Sequence, residues 1–182
     1  DHLLVNKFLY GPRIPFTDIR FFSGAEPKRG DIIVFKFPED ESKNFIKRVV
    51  GVPQDKIEIR KGVLLINDQP VPVTDVGHSG DTEQDPVQRP GWPRVLEEQL
   101  GKVQHRIQHL HDQKDTNFGP VLVPKDSVFV MGDNRKGSND SRHEVGMVSE
   151  HDIDAVLPFV EQKSYFRLWR DASHDDQLAN LP

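Results

Sequence analysis

Two neighbouring cations, Lys47 and Arg48, lie in an apolar stretch that runs from Phe45 to Pro53. β-Branched and aromatic residues dominate this stretch and a turn closes it, which predicts a β-strand. Because side chains alternate between the two faces of a strand, Lys47 and Arg48 are expected on opposite faces. A lysine held among apolar groups loses its proton more easily, and a neutral lysine can act as a general base. Alternatively, the two cations are solubility charges on an edge strand, where they protect against aggregation.

A polar loop at residues 132–142 follows another apolar stretch and concentrates charges, hydroxyls and glycines. Glycine, Asn, Asp and Ser favour turns, so an ordinary surface loop is one interpretation. The other interpretation is a site, because a base that must be both neutral and oriented needs donors and acceptors around it. Three interactions fit this second interpretation: Asp140 with Arg142, Asp133 with Arg48, and the Ser138 hydroxyl with a neutral lysine amine.

The composition describes an ordinary soluble globular chain with a polar surface, since 35% of the 182 residues are hydrophobic and 29% are charged. A net charge of −5 argues against nucleic-acid binding through phosphate contacts. The absence of cysteine excludes disulfides and thiolate metal sites. No apolar run has the length of a membrane span, and no signal peptide opens the chain. The first residues, Asp1–Val5, are already strand-like, so we expect a chain cut from a longer protein.

The pattern of short apolar runs and turns predicts a mainly β fold. We expect the run Ile32–Phe37 to pair antiparallel with the lysine strand, and Asp55–Asp68 to form a hairpin. Residues 70–93 are predicted to be an exposed segment. Val95–Leu100 is the one short helix candidate, because Pro93 suits a first turn and Gly101 ends it. The remaining predicted elements are strands at Leu3–Val5, Val121–Pro124, Ser127–Met131 and Ile153–Val160, and a tail at Ser173–Pro182.

Three histidines, His105, His109 and His111, lie in the segment from Gln104 to Asp112. On a helix, His105 and His109 would share a face and suggest a metal site. No zinc-ligand spacing accompanies them, so a solvated histidine-rich strand is the preferred interpretation. We expect no metal ion and no other cofactor.

Three segments, in this order, resemble three sequence boxes of bacterial type I signal peptidases. They are Arg29–Phe35, Ile46–Pro53 and the loop Gly132–Arg142. The opening Asp1–Gly11 and the stretch Gln99–Ile107 also look like proteobacterial members of that family. The likeness covers most of the chain up to about Val160, and three ordered boxes are far more specific than one.

The resemblance implies a membrane-anchored serine endopeptidase that uses a serine–lysine dyad. Such enzymes remove signal peptides from exported preproteins on the outer, periplasmic face of the inner membrane. The implied partners are therefore preprotein signal peptides and, through an anchor, the membrane surface, with no nucleic acid. The implied fold is a β-barrel-like catalytic core from residues 1–60 and 120–163, a β-rich inserted lobe at 61–119, and a C-terminal segment at 164–182.

The resemblance also implies roles for individual residues. Lys47 corresponds to the general base, and Ser138 to the serine that hydrogen-bonds it. Two supporting ion pairs and a substrate-binding strand complete the set: Asp140 with Arg142, Asp133 with Arg48, and the strand residues Asn44, Phe45 and Ile46.

The chain departs from the family's pattern at several positions. The family's nucleophile lies in a Ser-Met-x-Pro box, which this sequence does not contain. We therefore expect that the serine lies upstream and that the chain as given is inactive. Gln54 stands where the family usually has glycine, and is unfavourable if the backbone there needs a positive φ. Lys136-Gly137 replaces the usual Asp-Asn, and Val145 replaces a tryptophan.

Two other functions remain open. A non-catalytic homologue would bind signal peptides or an assembly partner without cutting them. A related serine–lysine enzyme, such as a self-cleaving repressor-type protease or a conjugation-system peptidase, is the second. The insertion between Gly62 and Pro120 argues against the repressor type.

Overall fold

The computed structural model describes residues 26–78, 94–109 and 117–157, whose regular secondary structure is almost entirely β-strand. The prediction of a mainly β fold is confirmed. The strands are β1 (Ile32–Phe37), β2 (Asp40–Gly51), β3 (Lys56–Arg60), β4 (Val63–Ile66), β5 (Gln69–Pro70), β6 (Val73–His78), β7 (Arg94–Leu100), β8 (Val103–His109), β9 (Phe118–Leu122), β10 (Ser127–Met131), β11 (Val148–Ser149) and β12 (Ile153–Leu157). A 3₁₀ turn at Glu150–Asp152 separates the last two strands.

The lysine strand, β2, lies inside a five-stranded antiparallel sheet with the order β11-β10-β2-β1-β12. Its predicted pairing with β1 is confirmed, and the register sets Ile33 opposite Lys47. Phe45 and Val49 of β2 contribute to one apolar core, whereas Val50 contributes to a second. Both faces of the strand are therefore covered, as the alternation of its side chains requires.

The two apolar cores lie on different faces of β2 and contain side chains from different strands. The first contains side chains from β1, β2 and β10 together with Val145. The second joins Val50, Phe129 and Met131 of the five-stranded sheet to a four-stranded sheet with the order β5-β4-β3-β9. The predicted hairpin at Asp55–Asp68 supplies β3 and β4 of that second sheet.

A three-stranded sheet, β6-β7-β8, contains one difference from the sequence prediction. The predicted helix at Val95–Leu100 is wrong, because this segment lies in β7, which pairs antiparallel with β6 and with β8. Hydrogen-bonded neighbours on both sides outweigh the helix propensity of its Leu, Glu and Gln residues. The segment predicted as exposed contains β6, whose Val73 and Val76 are indeed exposed.

Several predictions lie outside the described residues. These are the strand at Leu3–Val5, residues 79–93, the end of the strand predicted to reach Val160, and the segment 164–182. The domain boundaries stay a prediction. Within the described ranges, no helix has the length and apolar character needed to span a membrane.

Candidate active site

Lys47 is held in the interior of the five-stranded sheet, with only 9% of the residue exposed. Its Nζ atom lies 5.1 Å from the centroid of the Phe45 ring, a cation–π distance. Phe45 and Val49 flank it on the same face of β2, and Ile33 lies opposite on β1. The interpretation of Lys47 as an exposed solubility charge is therefore wrong, because the residue is buried.

Ser138 is buried beside Gly132, at the start of the loop. A Cβ atom added to Gly132 would approach the Ser138 Oγ to 2.2 Å, so only glycine leaves room for this serine. Ser138 Oγ has no hydrogen-bond partner within the described part of the chain. The hydrogen bond between Ser138 and Lys47 that the resemblance implies is thus not formed in this structure.

Arg48 and Asp133 form a buried ion pair that ties the start of the loop to β2. Arg48 Nε donates to Asp133 Oδ1 at 2.9 Å, and Arg48 Nη2 donates to Asp133 Oδ2 at 2.8 Å. The third nitrogen, Nη1, donates to the Gly30 carbonyl at 2.9 Å. The paired geometry fixes both the distance and the orientation of the loop's first residues relative to the strand that carries Lys47.

Asp140 and Arg142 form the second expected pair, at the far end of the loop. Arg142 Nε and Nη2 donate to the two Asp140 oxygens at 2.8 and 2.7 Å, and the Gly132 amide donates to Asp140 Oδ2 at 3.0 Å. Burial raises the pKa of Asp140, but the hydrogen bonds and charge of Arg142 outweigh it and hold the pKa below its usual value. Asp140 therefore remains a carboxylate that joins both ends of the loop.

The sequence prediction missed Ser141, which closes the loop. The Val130 amide donates to Ser141 Oγ at 2.9 Å, and the Ser141 amide donates to the Val130 carbonyl at 3.1 Å. A serine beside a turn-rich segment carries no distinctive signal. Only its hydrogen bonds to Val130 of β10 show that Ser141 closes the loop.

A buried network of Glu98, Arg135 and His105 was also missed. Arg135 Nη1 donates to Glu98 Oε1 at 2.7 Å, and its Nη2 contacts the other carboxylate oxygen. Burial alone raises the pKa of Glu98, but the charge of Arg135, the close approach of His105 and the hydrogen bonds from Arg135 lower it to about 2. The prediction of a solvated histidine-rich strand is wrong for His105, which is 1% exposed. His111 lies outside the described residues.

The three predicted substrate-binding residues lie in the part of β2 that pairs with β1 but not with β10. β10 pairs with β2 only at Arg48, Val49 and Gly51, so no described strand lies next to Asn44–Ile46 on that side. Asn44 and Ile46 are partly exposed. Phe45 is buried and stacks on Phe37 at 4.7 Å between ring centroids, so its side chain belongs to the first core.

The departures from the family's pattern have different structural settings. Gln54 has φ +70°, the left-handed conformation that disfavours residues other than glycine. Val145 is buried in the first core, whereas Lys136 and Gly137 are exposed. Among the described residues there is no group of side chains arranged to hold a metal ion.

Residues 1–160 match the family model described as signal peptidase, peptidase S26. The chain belongs to this family. Its resemblance to bacterial type I signal peptidases, inferred above from three sequence boxes, is confirmed.

Similar proteins of this family include a signal peptidase I of Pseudomonas fluorescens, 38% identical over 79% of this chain and 49% of that protein. A signal peptidase I of Pseudomonas aeruginosa is 33% identical over 100% of this chain and 62% of that protein, and one of Rickettsia typhi is 34% identical over 100% and 71%. The chain thus spans about half to two thirds of the two Pseudomonas relatives. A crystal structure of a signal peptidase I from Enterococcus faecalis aligns with 74% of this chain and 98% of that chain, at 26% identity and a TM-score of 0.44.

Proposed function

We propose that the protein is a signal peptidase I, a serine endopeptidase that cleaves signal peptides from exported preproteins with Lys47 as its general base. The observation that carries this proposal is the burial of Lys47 on the central strand β2, directly beside Asn44–Ile46, which have no described neighbour on the side away from β1. Burial disfavours a charged amine, and a neutral amine can accept a proton from a hydroxyl nucleophile.

The substrate would bind as an added strand along Asn44–Ile46. The Val49 amide donates to the Asp31 carbonyl, and the Val49 carbonyl accepts from the Gly30 amide, both at 2.8 Å. Backbone groups of successive residues in a strand face opposite sides, so those of Asn44 and Ile46 face away from β1. No described strand pairs with them on that side, so we propose that an extended peptide pairs there, with small side chains such as alanine before the cleaved bond.

The nucleophile is the serine of a Ser-Met-x-Pro segment that we propose to precede Asp1 in the protein. Its hydroxyl oxygen attacks the scissile carbonyl carbon while Lys47 accepts the hydroxyl proton. Lys47 then gives this proton to the departing amine, and an acyl ester remains on the serine. A water molecule that loses its proton to Lys47 attacks the ester, and the serine oxygen recovers the proton as the signal peptide leaves.

Arg48, Asp133, Asp140 and Arg142 support this reaction by holding the loop that carries Ser138. Each carboxylate accepts two hydrogen bonds from its arginine, which restricts the loop more than a single contact does. We further propose that Ser138 orients the Lys47 amine once substrate is bound. In structures without substrate, catalytic hydrogen bonds are often long or poorly aligned, and they tighten only when substrate binds. The proposed location is the outer face of the inner membrane.

A non-catalytic signal-peptide binder is the second candidate. The specific observation in its favour is that Ser138 Oγ makes no hydrogen bond to Lys47 in this structure. Such a protein would hold a peptide along Asn44–Ile46 of β2 without the Ser138–Lys47 hydrogen bond that the first candidate uses.

The decisive experiment compares Lys47→Met with Lys43→Met in the protein encoded by the natural gene. Lys43 lies on the same strand, but its side chain is 51% exposed. We expect cleavage of a purified preprotein to fall by roughly 10³-fold in Lys47→Met, because general-base catalysis is lost. Lys43→Met should cleave normally. Undiminished cleavage by Lys47→Met would remove the proposed base, whereas peptide binding without cleavage by the unmodified protein would favour the second candidate.

A further inference from the structure

The three-stranded sheet is connected to the site by backbone hydrogen bonds. The Gln108 amide of β8 donates to the Asp133 carbonyl at 2.8 Å, and the Arg135 amide donates to the Gln108 carbonyl at 3.2 Å. Gln108 and Asn134 form a parallel β-bridge. The loop residues 133–135 therefore extend the sheet beyond β8, although they follow β10 of the other sheet in the sequence.

A buried ion pair strengthens the same junction. Glu98 of β7 and Arg135 of the loop are 1% and 4% exposed, and each Glu98 oxygen contacts one terminal nitrogen of Arg135. Two parallel contacts restrict both distance and orientation. The carboxylate remains ionised at neutral pH, so the attraction is permanent under ordinary conditions.

His105 of β8 lies between this ion pair and the one that supports the site. Its Nε2 atom is 3.3 Å from Glu98 Oε2 and 3.8 Å from Asp133 Oδ1. Asp133 in turn is doubly hydrogen-bonded to Arg48, the residue that follows Lys47 on β2. The His105 side chain makes no hydrogen bond within the described part of the chain, but its Nε2 atom lies close to both the Glu98 ion pair of β7 and the Asp133–Arg48 pair on the lysine strand.

We propose that Glu98 and His105 are positioning residues for the Lys47 site. They fix Asp133 and Arg135, and these two residues set the path of the loop on which Ser138 lies. This inference rests on the proposed function for its catalytic consequence, but its structural part is independent of it. The inserted sheet would then be a component of the site, because the paired Glu98–Arg135 hydrogen bonds and the two backbone hydrogen bonds of Gln108 restrict the loop to one geometry.

The first test measures geometry in the 182-residue chain by NMR. Glu98→Gln is compared with Glu97→Gln, which alters the neighbouring, partly exposed residue of the same strand. We expect Glu98→Gln to shift the amide resonances of Gly132 and Ser138 and to speed exchange of the Arg135 amide at least tenfold. Glu97→Gln should change neither. Unchanged Gly132 and Ser138 resonances in a folded Glu98→Gln chain would overturn the proposal.

The second test uses the natural full-length protein and a preprotein substrate. A positioning role predicts that Glu98→Gln lowers kcat about tenfold while KM changes less than twofold, because the peptide-binding part of β2 is untouched. His105→Gln should have the same effect in weaker form. A loss only in KM, or equal losses in Glu98→Gln and Glu97→Gln, would contradict it. Failure of the unmodified protein to cleave would refute the proposed function, and the NMR result would still decide the structural part.

A third variant covers the case in which Glu98→Gln does not fold. The double change Glu98→Met with Arg135→Met leaves neither charge unpaired, and such replacements of buried ion pairs are often tolerated. The proposal predicts a folded protein with a reduced kcat and shifted Ser138 resonance. A folded double variant with normal kcat and an unshifted Ser138 resonance would overturn it.

Discussion

Gln54 adopts a left-handed backbone conformation with φ +70°. For a residue with a Cβ atom this conformation costs roughly 1–2 kcal/mol, because Cβ approaches the following carbonyl oxygen. The Gln54 amide donates to the Val123 carbonyl at 2.9 Å, which holds the conformation in place. The side chain itself is exposed. Glycine would thus keep the backbone contact and remove the steric cost.

We expect Gln54→Gly to increase the free energy of unfolding by about 0.5–1 kcal/mol, the steric relief less the extra freedom that glycine gives the unfolded chain. The measurement is urea denaturation followed by circular dichroism. Gln69→Gly is the matched control, since Gln69 is also exposed but is not in a left-handed conformation. Gln69→Gly should be neutral or destabilising. A loss of stability in Gln54→Gly would contradict the explanation from backbone strain.

Hydrogen bonds join the two ends of the loop between β10 and Arg142. Ser141 pairs with Val130 through two hydrogen bonds, and Asp140 accepts the Gly132 amide. This closure brings Ser138 directly against Gly132, which has no side chain to oppose it. The loop therefore depends on a small residue at its first position as much as on its charged residues.

Gly132→Ala is expected to destabilise the protein by about 1–3 kcal/mol, because the new methyl group would lie 2.2 Å from Ser138 Oγ and 2.5 Å from its Cβ. Adding Ser138→Gly removes both opposing atoms and should restore most of the lost stability. Thermal and urea unfolding of the two single variants and the double variant give the coupling free energy. Additive effects would mean that the close approach is relieved elsewhere.

The elements that could be predicted from sequence are those specified by their own residues. Runs of β-branched residues specify β1 and β2. The β3–β4 hairpin is specified by the Lys61-Gly62 turn, whose residues have φ +51° and +78°. β7 instead contains Leu, Glu and Gln, so its strand conformation comes from β6 and β8. Periodicity within one segment does not contain that information.

The residues of the candidate site also fall into those that the sequence identifies and those that only the three-dimensional structure identifies. The sequence boxes identified the ion pairs of Arg48 with Asp133 and of Asp140 with Arg142, and the structure brings both together. The burial of His105 depends on Glu98 and Asp133, which are supplied by another strand and by a distant loop. Histidine is intermediate between buried and exposed residue types, so only the three-dimensional pairing identifies His105 as buried.

At the scale of the whole molecule, the junction between the three-stranded sheet and the loop is stabilised by charge as well as by backbone hydrogen bonds. The pKa of Glu98 is about 2 in the folded protein, against 4.5 for an ordinary glutamate. Because the folded value is depressed, the ionised group stabilises the fold at every pH above its unfolded pKa. This contribution is lost as pH falls from about 4.5 to about 2, and a shift of this size corresponds to on the order of 3 kcal/mol.

The difference in unfolding free energy between the unmodified chain and Glu98→Gln should therefore be constant above about pH 5. Below about pH 4.5 it should shrink by about 1.4 kcal/mol per pH unit, since the protonated Glu98 side chain and the amide that replaces it are both neutral. Urea denaturation at a series of pH values from about 7 to about 3 measures this difference, and contributions from all other titrating groups largely cancel in it. Glu97→Gln should give a small difference at every pH. If the Glu98→Gln difference stayed constant down to about pH 3, the junction would be held by shape and backbone pairing rather than by the Glu98 charge.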